Sequence, residues 1–408
     1  MRIIAIAART IRWTIASQGA ARGRAARAAV VLEVRGDLGE IGLGEAAPLP
    51  GMSPDTLEDA ERAIASFARR VPFELADREA AVALAHGAAS GSPAARFAIE
   101  TALLDALARD LGVSLATLLR DPPALLERVP CVIHGKLRDE PSATRSRSEI
   151  VDADADGARS ISGESAGGGL LTGSARLRTA VVPLAAVVDD PEAARAGFAA
   201  GIRCFKIKLA AGDDPRRVFA IAAAVPGARL RIDANRSWPR AEVAARLAAL
   251  APLPIDYVEE PCMEAHQLLS GSLPCRLALD ESLAELTTGE LHAALHSPQL
   301  AAVVLKPTLL GGLSAALDLA DLARRAGVAA IASHGLEGPV GTAACAELAL
   351  ALGGSHPAGL AAHAALAGWH IEVPQLAADH VHPAGAHGLG FGPLDLAGLV
   401  RARRATSP

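Results

Sequence analysis

Aromatic residues are scarce, at 3% of the chain, so the core must be built from alanine, leucine and valine, and a hydrophobic content of 51% is ample for that. There is no excess of basic residues: 40 Lys and Arg stand against 45 Asp and Glu, and a net charge of −5 with a pI near 6.2 offers no broad positive field for nucleic acid. No apolar run is long and uninterrupted enough to span a bilayer, so no membrane partner is expected. Cysteine is sparse too. The five residues Cys131, Cys204, Cys262, Cys275 and Cys345 are odd in number and lack C-x-x-C or zinc-site spacing. With no signal peptide visible, a reducing cytoplasm is the expected compartment.

What the chain does have is a set of ionisable residues at the ends of short apolar runs between Phe205 and Gly341. They are Lys206-Ile-Lys208, Arg231-Ile-Asp233-Ala-Asn235, Val258-Glu259-Glu260-Pro261, Leu279-Asp280-Glu281-Ser282 and Leu305-Lys306-Pro307. From charge to charge, Lys208 to Asp233 is 25 residues, Asp233 to Glu259 is 26, Glu259 to Asp280 is 21 and Asp280 to Lys306 is 26. Each interval holds one strand buried on both faces and one helical pattern, which is a βα unit. In a parallel barrel the strand C-termini converge on one mouth, so Lys208, Asp233, Glu259, Asp280 and Lys306 should ring a single pocket. Three carboxylates that close require a cation, and hard oxygen ligands favour Mg²⁺ or Mn²⁺. Lys208 comes from an early strand and Lys306 from a late one, so the two should face each other across the metal. An isolated Asp or Glu after a strand is more often a cap or turn residue, a reading that stays open for Glu260, Glu281 and Glu337. It does not explain a carboxylate recurring once per unit with a lysine at each end. Lys306 alone would suit a Schiff-base aldolase, which leaves the carboxylate trio unexplained.

At 408 residues the chain fits a barrel with an added lobe. Residues 1–128 lack the βα rhythm. Ala28 to Val34 reads as a strand and Gly36 to Glu45 as a turn into another. The Gly-, Ala- and Arg-rich stretch between Thr14 and Ala28 reads as a surface hairpin, or as a flap whose Arg22, Arg24 or Arg27 meets an anionic substrate. Ser53-Pro54-Asp55 should cap a helix through about Arg70, and a second helix should start at Ser92-Pro93 with one apolar stripe from Ala95 to Leu107. Residues 138–178 are too polar to bury surface and read as a disordered insertion. It separates Val129–Ile133 from Val182–Val188; either run could be the first barrel strand, and Asp190-Pro191-Glu192, a helix start, favours the second. The barrel then occupies 179–375, and a segment at 376–408 should return to the N-terminal lobe.

These motifs resemble the enolase superfamily in its muconate-lactonizing branch, and within it the o-succinylbenzoate synthase family. Gly42-Leu-Gly-Glu-Ala-Ala-Pro-Leu-Pro-Gly51-Met-Ser-Pro and Ala95-Arg-Phe-Ala-Ile-Glu-Thr-Ala-Leu-Leu-Asp105 are similar to the signature of its capping domain. The resemblance covers nearly all of the chain outside 138–178. It implies an α/β fold, a modified (β/α)8 TIM-type barrel of the (β/α)7β kind with an N-terminal α+β capping domain. By the same resemblance Asp233, Glu259 (rather than Glu260) and Asp280 match Mg²⁺ ligands, Lys208 the general base and Lys306 the lysine on the opposite face. Lys206, Asn235 and Glu281 match supporting positions. The turn Ser333-His334-Gly335-Leu336-Glu337-Gly338 stands where the family usually has Ser-Ser-Leu-Glu-Ser, so Ser333, His334, Gly335 and Glu337 are candidate contacts for the substrate carboxylate. His334 itself reads more readily as a hydrogen-bonded turn residue than as a catalytic acid.

The implied reaction is dehydration of 2-succinyl-6-hydroxy-2,4-cyclohexadiene-1-carboxylate, a small-molecule carboxylate, in menaquinone biosynthesis. Removal of the α-proton puts two negative charges on one enediolate, which a divalent ion offsets. The lysine base with Mg²⁺ is a general pattern of this superfamily. Lys206, two residues from Lys208 on the same strand face, should help lower the pKa of that base. The same two lysines could racemise an N-succinylamino acid or serve a muconate cycloisomerase, and a catalytically silent binding or scaffolding relative is the non-enzymatic alternative. Nothing in the sequence fixes an oligomeric state.

Overall fold

The computed structural model describes residues 1–16, 24–120 and 181–392; Arg22, the insertion at 138–178, the run 129–133 and the tail after Gly392 lie outside the described residues. The N-terminal lobe is an antiparallel sheet packed on helices. Strand β1 (Arg2–Ala16) pairs with β2 (Arg24–Gly36), β2 with β3 (Ile41–Ala46), and the short β4 (Phe73–Glu74) with the other edge of β1. At both ends of the stretch between Thr14 and Ala28 the ladder continues, with Thr14 opposite Ala26 and Ala16 opposite Arg24; residues 17–23 lie outside the described residues.

The helix Leu57–Ala68 is capped by Thr56 and not by Ser53–Asp55: Thr56 and Asp59 form a reciprocal capping box. Asp55 instead accepts from the Ser92 hydroxyl (2.6 Å) and the Ala94 amide (3.0 Å), at the start of the next long helix. That helix, Pro93–Asp110, has Ser92 as N-cap and Pro93 in its first turn, as expected. It departs from the expected single stripe, because every residue from Pro93 to Ala108 is buried. It lies between the sheet and the barrel. A Cβ on Gly42 or Gly44 of β3 would sit 1.9 and 2.0 Å from the Ala102 and Ala98 carbonyl oxygens, so the strand can approach the helix this closely only as glycine. On its other side Glu100 accepts from the Ser314 amide at 2.7 Å.

The second half is a parallel barrel. Strands β6 (Ala185–Val187), β7 (Cys204–Lys208), β8 (Arg229–Asp233), β9 (Ile255–Glu259), β10 (Leu277–Leu279), β11 (Leu300–Leu305) and β12 (Ala329–Ala332) lie in sequential order. The preferred first strand, 182–188, is broken: Val182–Pro183 forms β5, paired with β13 (His380–Val381), before β6 joins the barrel. Residues 358 and 359 take the eighth position. Ala358 bridges to Leu184 and Gly359 to Ser333, with Ala185 N–H bonding Ala358 O and Gly359 N–H bonding Ala332 O, so the ring is closed by single bridges. The result is a modified TIM-type barrel with an N-terminal α+β capping domain. Among the described residues no helix is long and apolar enough to cross a membrane.

Strand periodicity aims the charges. Phe205, Ile207, Leu230, Ile232, Val258, Leu277, Leu279, Val303 and Leu305 belong to the main core around the barrel. The alternate residues Tyr257, Ala278, Ala302, Val304 and Ile331 form a separate cluster within it. Lys206, Lys208, Asp233, Glu259, Asp280 and Lys306 fall on this second parity, which points them inward.

Arg27 and Glu45 are two of the buried side chains that join cap to barrel. Arg27 is 3% exposed and spends its donors on Pro48 O (2.8 Å) and Ala47 O (3.1 Å) of the cap and on Leu336 O (2.9 Å) and Gly335 O (3.3 Å) of the barrel. The flap role expected for Arg27 is therefore corrected: buried among four carbonyls, its guanidinium is committed to main chain of both lobes rather than held out for a substrate, and the side chain of Arg24 lies outside the described residues. Glu45 accepts from the Gly338 and Gly341 amides at the start of the helix Pro339–Leu352. Burial pushes its pKa from 4.5 up to about 7, with those two amides opposing and the Glu337 carboxylate adding to the rise. A carboxyl with a raised folded-state pKa stabilises the fold fully below its unfolded pKa, and that contribution is lost as pH rises through the folded value. Thermal unfolding of the wild type should therefore weaken between about pH 4.5 and 7, by at most about 3 kcal/mol from this group. The decline should be shallower in Glu45→Gln; an equal decline in both proteins would show that Glu45 does not titrate in this range.

Candidate active site

The five expected site residues meet at one end of the barrel. In register, Lys208 lies beside Asp233 and Asp233 beside Glu259, on successive strands. Asp280 follows β10 and Lys306 follows β11. Asp233, Glu259 and Asp280 are 3%, 1% and 4% exposed, which for three carboxylates demands compensating charge. Lys206 supplies part of it, its Nζ standing 2.8 Å from both Asp233 Oδ2 and Glu259 Oε1. Lys306 Nζ pairs with Asp280 Oδ2 and lies 3.7 Å from Glu281.

Burial would depress the Lys206 ammonium, but Asp233, Glu259 and Asp280 outweigh it and hold its pKa well above the ordinary lysine value. Lys306 is raised likewise, burial being outweighed by Asp280 and Glu281. The charge of Lys206 is thus matched by carboxylates. Lys208 differs from both other lysines: among the described residues its Nζ makes no hydrogen bond or ion pair. Its backbone oxygen is held by the Arg217 guanidinium.

Asp280 is raised well above the usual carboxylate range, by burial first and then by Glu281 and Glu259 against the opposing Lys306. Asp280 Oδ1 and both Glu281 oxygens are buried without a hydrogen-bond partner. Orphaned carboxylate oxygens beside two further carboxylates are the donor set of a hard divalent cation. Among the described residues no three Asp, Glu, His or Cys side chains are already drawn around a common point. Lys206 and Lys306 occupy the intervals between the carboxylates instead. The residue types, their adjacency and the unpartnered oxygens fit a cation.

The adjacent Glu260 has a different task. Its Oε1 accepts from the Asp280 amide (2.8 Å) and the Ser282 amide (2.9 Å), and its Oε2 from the Ser282 hydroxyl (2.8 Å) and Arg236 Nε (3.3 Å). Asn235 is exposed, and its backbone N–H donates to Asp233 Oδ1 at 3.0 Å. Asn235, Arg236 and Glu260 have φ of 44°, 59° and 42°, left-handed values that side chains rarely adopt and that cluster at functional sites.

In the turn after β12, Ser333 donates its hydroxyl to Gly359 O, the Gly335 amide donates to Glu337 Oε2, and Glu337 Oε1 accepts from Thr308. Their polar groups serve the turn itself. His334 stacks on His363, with ring centroids 3.8 Å apart and planes at 23°, and its Nδ1 accepts from the Leu336 amide at 3.1 Å. Burial first, then His363 and the three lysines, holds its pKa well below the ordinary histidine value. Sequence reasoning missed His363, Arg236 and Arg217. Arg27 is one of two arginines in the alanine-rich start of β2, and only its burial reveals its role.

Two family descriptions match the chain: the mandelate racemase / muconate lactonizing enzyme N-terminal domain over residues 4–120 and the enolase C-terminal domain-like family over residues 189–395. An o-succinylbenzoate synthase of Mycobacterium tuberculosis is 37% identical over 184 residues, which is 42% of this chain and 54% of that protein. One from Pectobacterium atrosepticum is 34% identical over 131 residues, 31% of this chain and 39% of that protein. The chain thus spans about half, or less, of the length of these relatives. Among solved structures, a dipeptide epimerase from Methylococcus capsulatus complexed with Mg and L-Arg-D-Lys superposes with a TM-score of 0.71 at 22% identity, covering 98% of this chain and 100% of that one. The L-Ala-D/L-Glu epimerase of Bacillus subtilis gives 0.69 at 20% identity, covering 95% and 98%. At these identities the structural likeness is one of fold. With both halves matched and the charged residues at the strand ends, the chain belongs to the mandelate racemase / muconate lactonizing enzyme family of the enolase superfamily.

Proposed function

We propose that this chain is a cytoplasmic, metal-dependent carbon–oxygen lyase that dehydrates 2-succinyl-6-hydroxy-2,4-cyclohexadiene-1-carboxylate to o-succinylbenzoate in menaquinone biosynthesis. The reaction class is supported by the family and by the relatives named o-succinylbenzoate synthase. The observation that carries the reading is the asymmetry of the lysines: Lys306 is paired with Asp280 and Glu281, whereas Lys208 is unpaired among the described residues. One free amine and one fixed cation suit a reaction that uses a single base.

Asp233, Glu259 and Asp280 would hold Mg²⁺ or Mn²⁺, which when bound supplies positive charge against the charge that grows on the substrate carboxylate. Lys208, as the neutral amine, takes the proton from the ring carbon bearing that carboxylate. As the conjugate acid it returns a proton to the 6-hydroxyl on the same face. The C–H and C–O bonds break, water leaves and the ring becomes aromatic. Lys306, on the strand four positions round the ring from that of Lys208, would meet the other face of the substrate ring as a cation. Lys206 steadies the Asp233 and Glu259 carboxylates, Asn235 orients Asp233 through its backbone N–H, and Glu281 adds negative charge beside Lys306. Ser333, Gly335 and Glu337 shape the turn that carries His334.

Racemisation of an N-succinylamino acid would require Lys306 to give up its proton to one face, against the two carboxylates that hold it there. Incubation with Mg²⁺ in D2O separates the readings. The lyase should turn over the cyclohexadiene acid and exchange the α-proton of only one N-succinylamino acid enantiomer. Exchange of both enantiomers at similar rates without dehydration would establish a racemase, and no metal-dependent turnover of either would favour a silent binding relative. Asp280→Asn should raise the Mg²⁺ concentration for half-maximal turnover at least about tenfold, as expected for loss of a charged ligand; an unchanged metal dependence would remove Asp280 from the site.

A further inference from the structure

Strand order places the two stacked histidines relative to the carboxylates. Counting round the ring from β6 as the first position, Asp233 and Glu259 end the third and fourth strands, and Asp280 follows the fifth. His334 follows the seventh strand, and His363 follows residues 358–359, which take the eighth position. In a ring of eight, the eighth position lies opposite the fourth, so this pair stands across the mouth from Glu259. A substrate whose carboxylate faces the acidic side therefore directs its far end at His334 and His363.

The chemistry of that far wall is set by two bonds. The donor to His334 Nδ1 is a backbone amide, which can only donate, so Nδ1 is the acceptor and Nε2 carries the ring proton. His334 Nε2 makes no hydrogen bond among the described residues. His363 covers one face of the ring, and its own Nε2 meets Thr342 Oγ1 at 3.2 Å while its Nδ1 is buried without a partner. Both rings are held neutral: His334 as described above, and His363 by burial and the nearby Arg27, which lower its pKa to about 3. Leu336, Ala365 and Trp369 add apolar surface beside them. A neutral N–H donor in an apolar wall, with the Lys306 cation already on the neighbouring sixth strand, matches a carbonyl oxygen better than it matches a second proton to be moved.

We propose that His334, fixed by the Leu336 amide and backed by His363, is a specificity-determining residue that donates through Nε2 to the carbonyl oxygen of an acyl arm on the substrate. The inference rests on the reading that the substrate's reacting carboxylate sits at Asp233, Glu259 and Asp280. It separates acyl-bearing acids, including the succinyl ketone and the succinylamides, from acids of the same ring size without an arm.

The test uses His334→Phe, which keeps the stacking surface without a donor, and His334→Asn, which keeps a neutral N–H. In turnover of the cyclohexadiene acid, His334→Phe should raise KM about tenfold with kcat changed less than about threefold, the loss expected for one hydrogen bond in a site built for it. His334→Asn should recover part of that loss. A fall in kcat at constant KM would overturn the proposal by placing His334 on the reacting atoms, and unchanged KM and kcat would overturn it outright. A second readout does not need turnover: with Mg²⁺ present, calorimetry compares binding of o-succinylbenzoate with benzoate. Wild type should prefer the arm-bearing acid by about tenfold, and His334→Phe should lose that preference. If wild type binds neither acid, the reading of the carboxylate site fails. If it binds both equally, that reading stands and the histidine proposal alone is lost.

Discussion

Lys208→Ala should cut turnover of the cyclohexadiene acid by about 10²–10⁴-fold, the usual loss for a positioned acid–base group, while the protein stays folded and still binds Mg²⁺. The expectation follows from what Lys208 does not do. Lys206 and Lys306 each neutralise buried carboxylates, so removing either leaves uncompensated charge and confounds catalysis with stability. Lys208 makes no ion pair among the described residues and adds to Asp233 only a smaller charge effect than Lys206 or Lys306. Its loss should leave the melting temperature within a few degrees of wild type and should abolish α-proton exchange on any substrate. Exchange that persists in Lys208→Ala would assign the base elsewhere. Exchange that persists while dehydration stops would confine Lys208 to protonating the leaving hydroxyl.

Glu260→Ala should have the largest effect on stability among the acidic residues at the mouth, about 3–5 kcal/mol in chemical denaturation. The side chain accepts the Asp280 and Ser282 amides, the Ser282 hydroxyl and Arg236, and is fully buried. Its removal strands those donors, which costs more than the net worth of the bonds. Because the Asp280 amide is among them, metal affinity should fall together with stability. Glu260→Gln should lie between, since its carbonyl oxygen can still accept the two amides, while its NH2 group meets Arg236 unfavourably. If Glu260→Ala kept wild-type stability but lost metal binding, Glu260 would be a ligand in its own right.

The barrel and its mouth were legible because strand parity and the βα interval are local: Ile207, Ile232 and Val258 turn outward and thereby commit Lys208, Asp233 and Glu259 inward. The distinction between Glu259 and Glu260 has the same basis, one residue of register on a strand. What the sequence could not carry is decided by long-range backbone bonds. Arg27 looks like a mobile surface charge until the carbonyls of Gly335 and Leu336, some 300 positions away, are found around it. The stripe on Pro93–Asp110 was misjudged for a related reason, since periodicity reports one buried face and this helix has neighbours on every side. Thr56 displaced Ser53 as cap because its box partner Asp59 lies at the required spacing. His363 gave no signal at all; it matters only through its stack with His334.

The seam between the two lobes has an evolutionary consequence. Glu45 reaches the amides of Gly338 and Gly341, Glu100 that of Ser314, Asp105 that of Leu389 and Glu347 that of Ala116, while Arg27 reaches carbonyls. In every case a side chain on one side grips main chain on the other, and main chain is the same whatever residue carries it. The opposing side chains at these contacts can therefore vary so long as the backbone path holds, except where the grip leaves room only for glycine: a Cβ on Gly338 would stand 2.9 Å from Glu45 Oε1, and one on Gly312 2.0 Å from Glu100 Oε2.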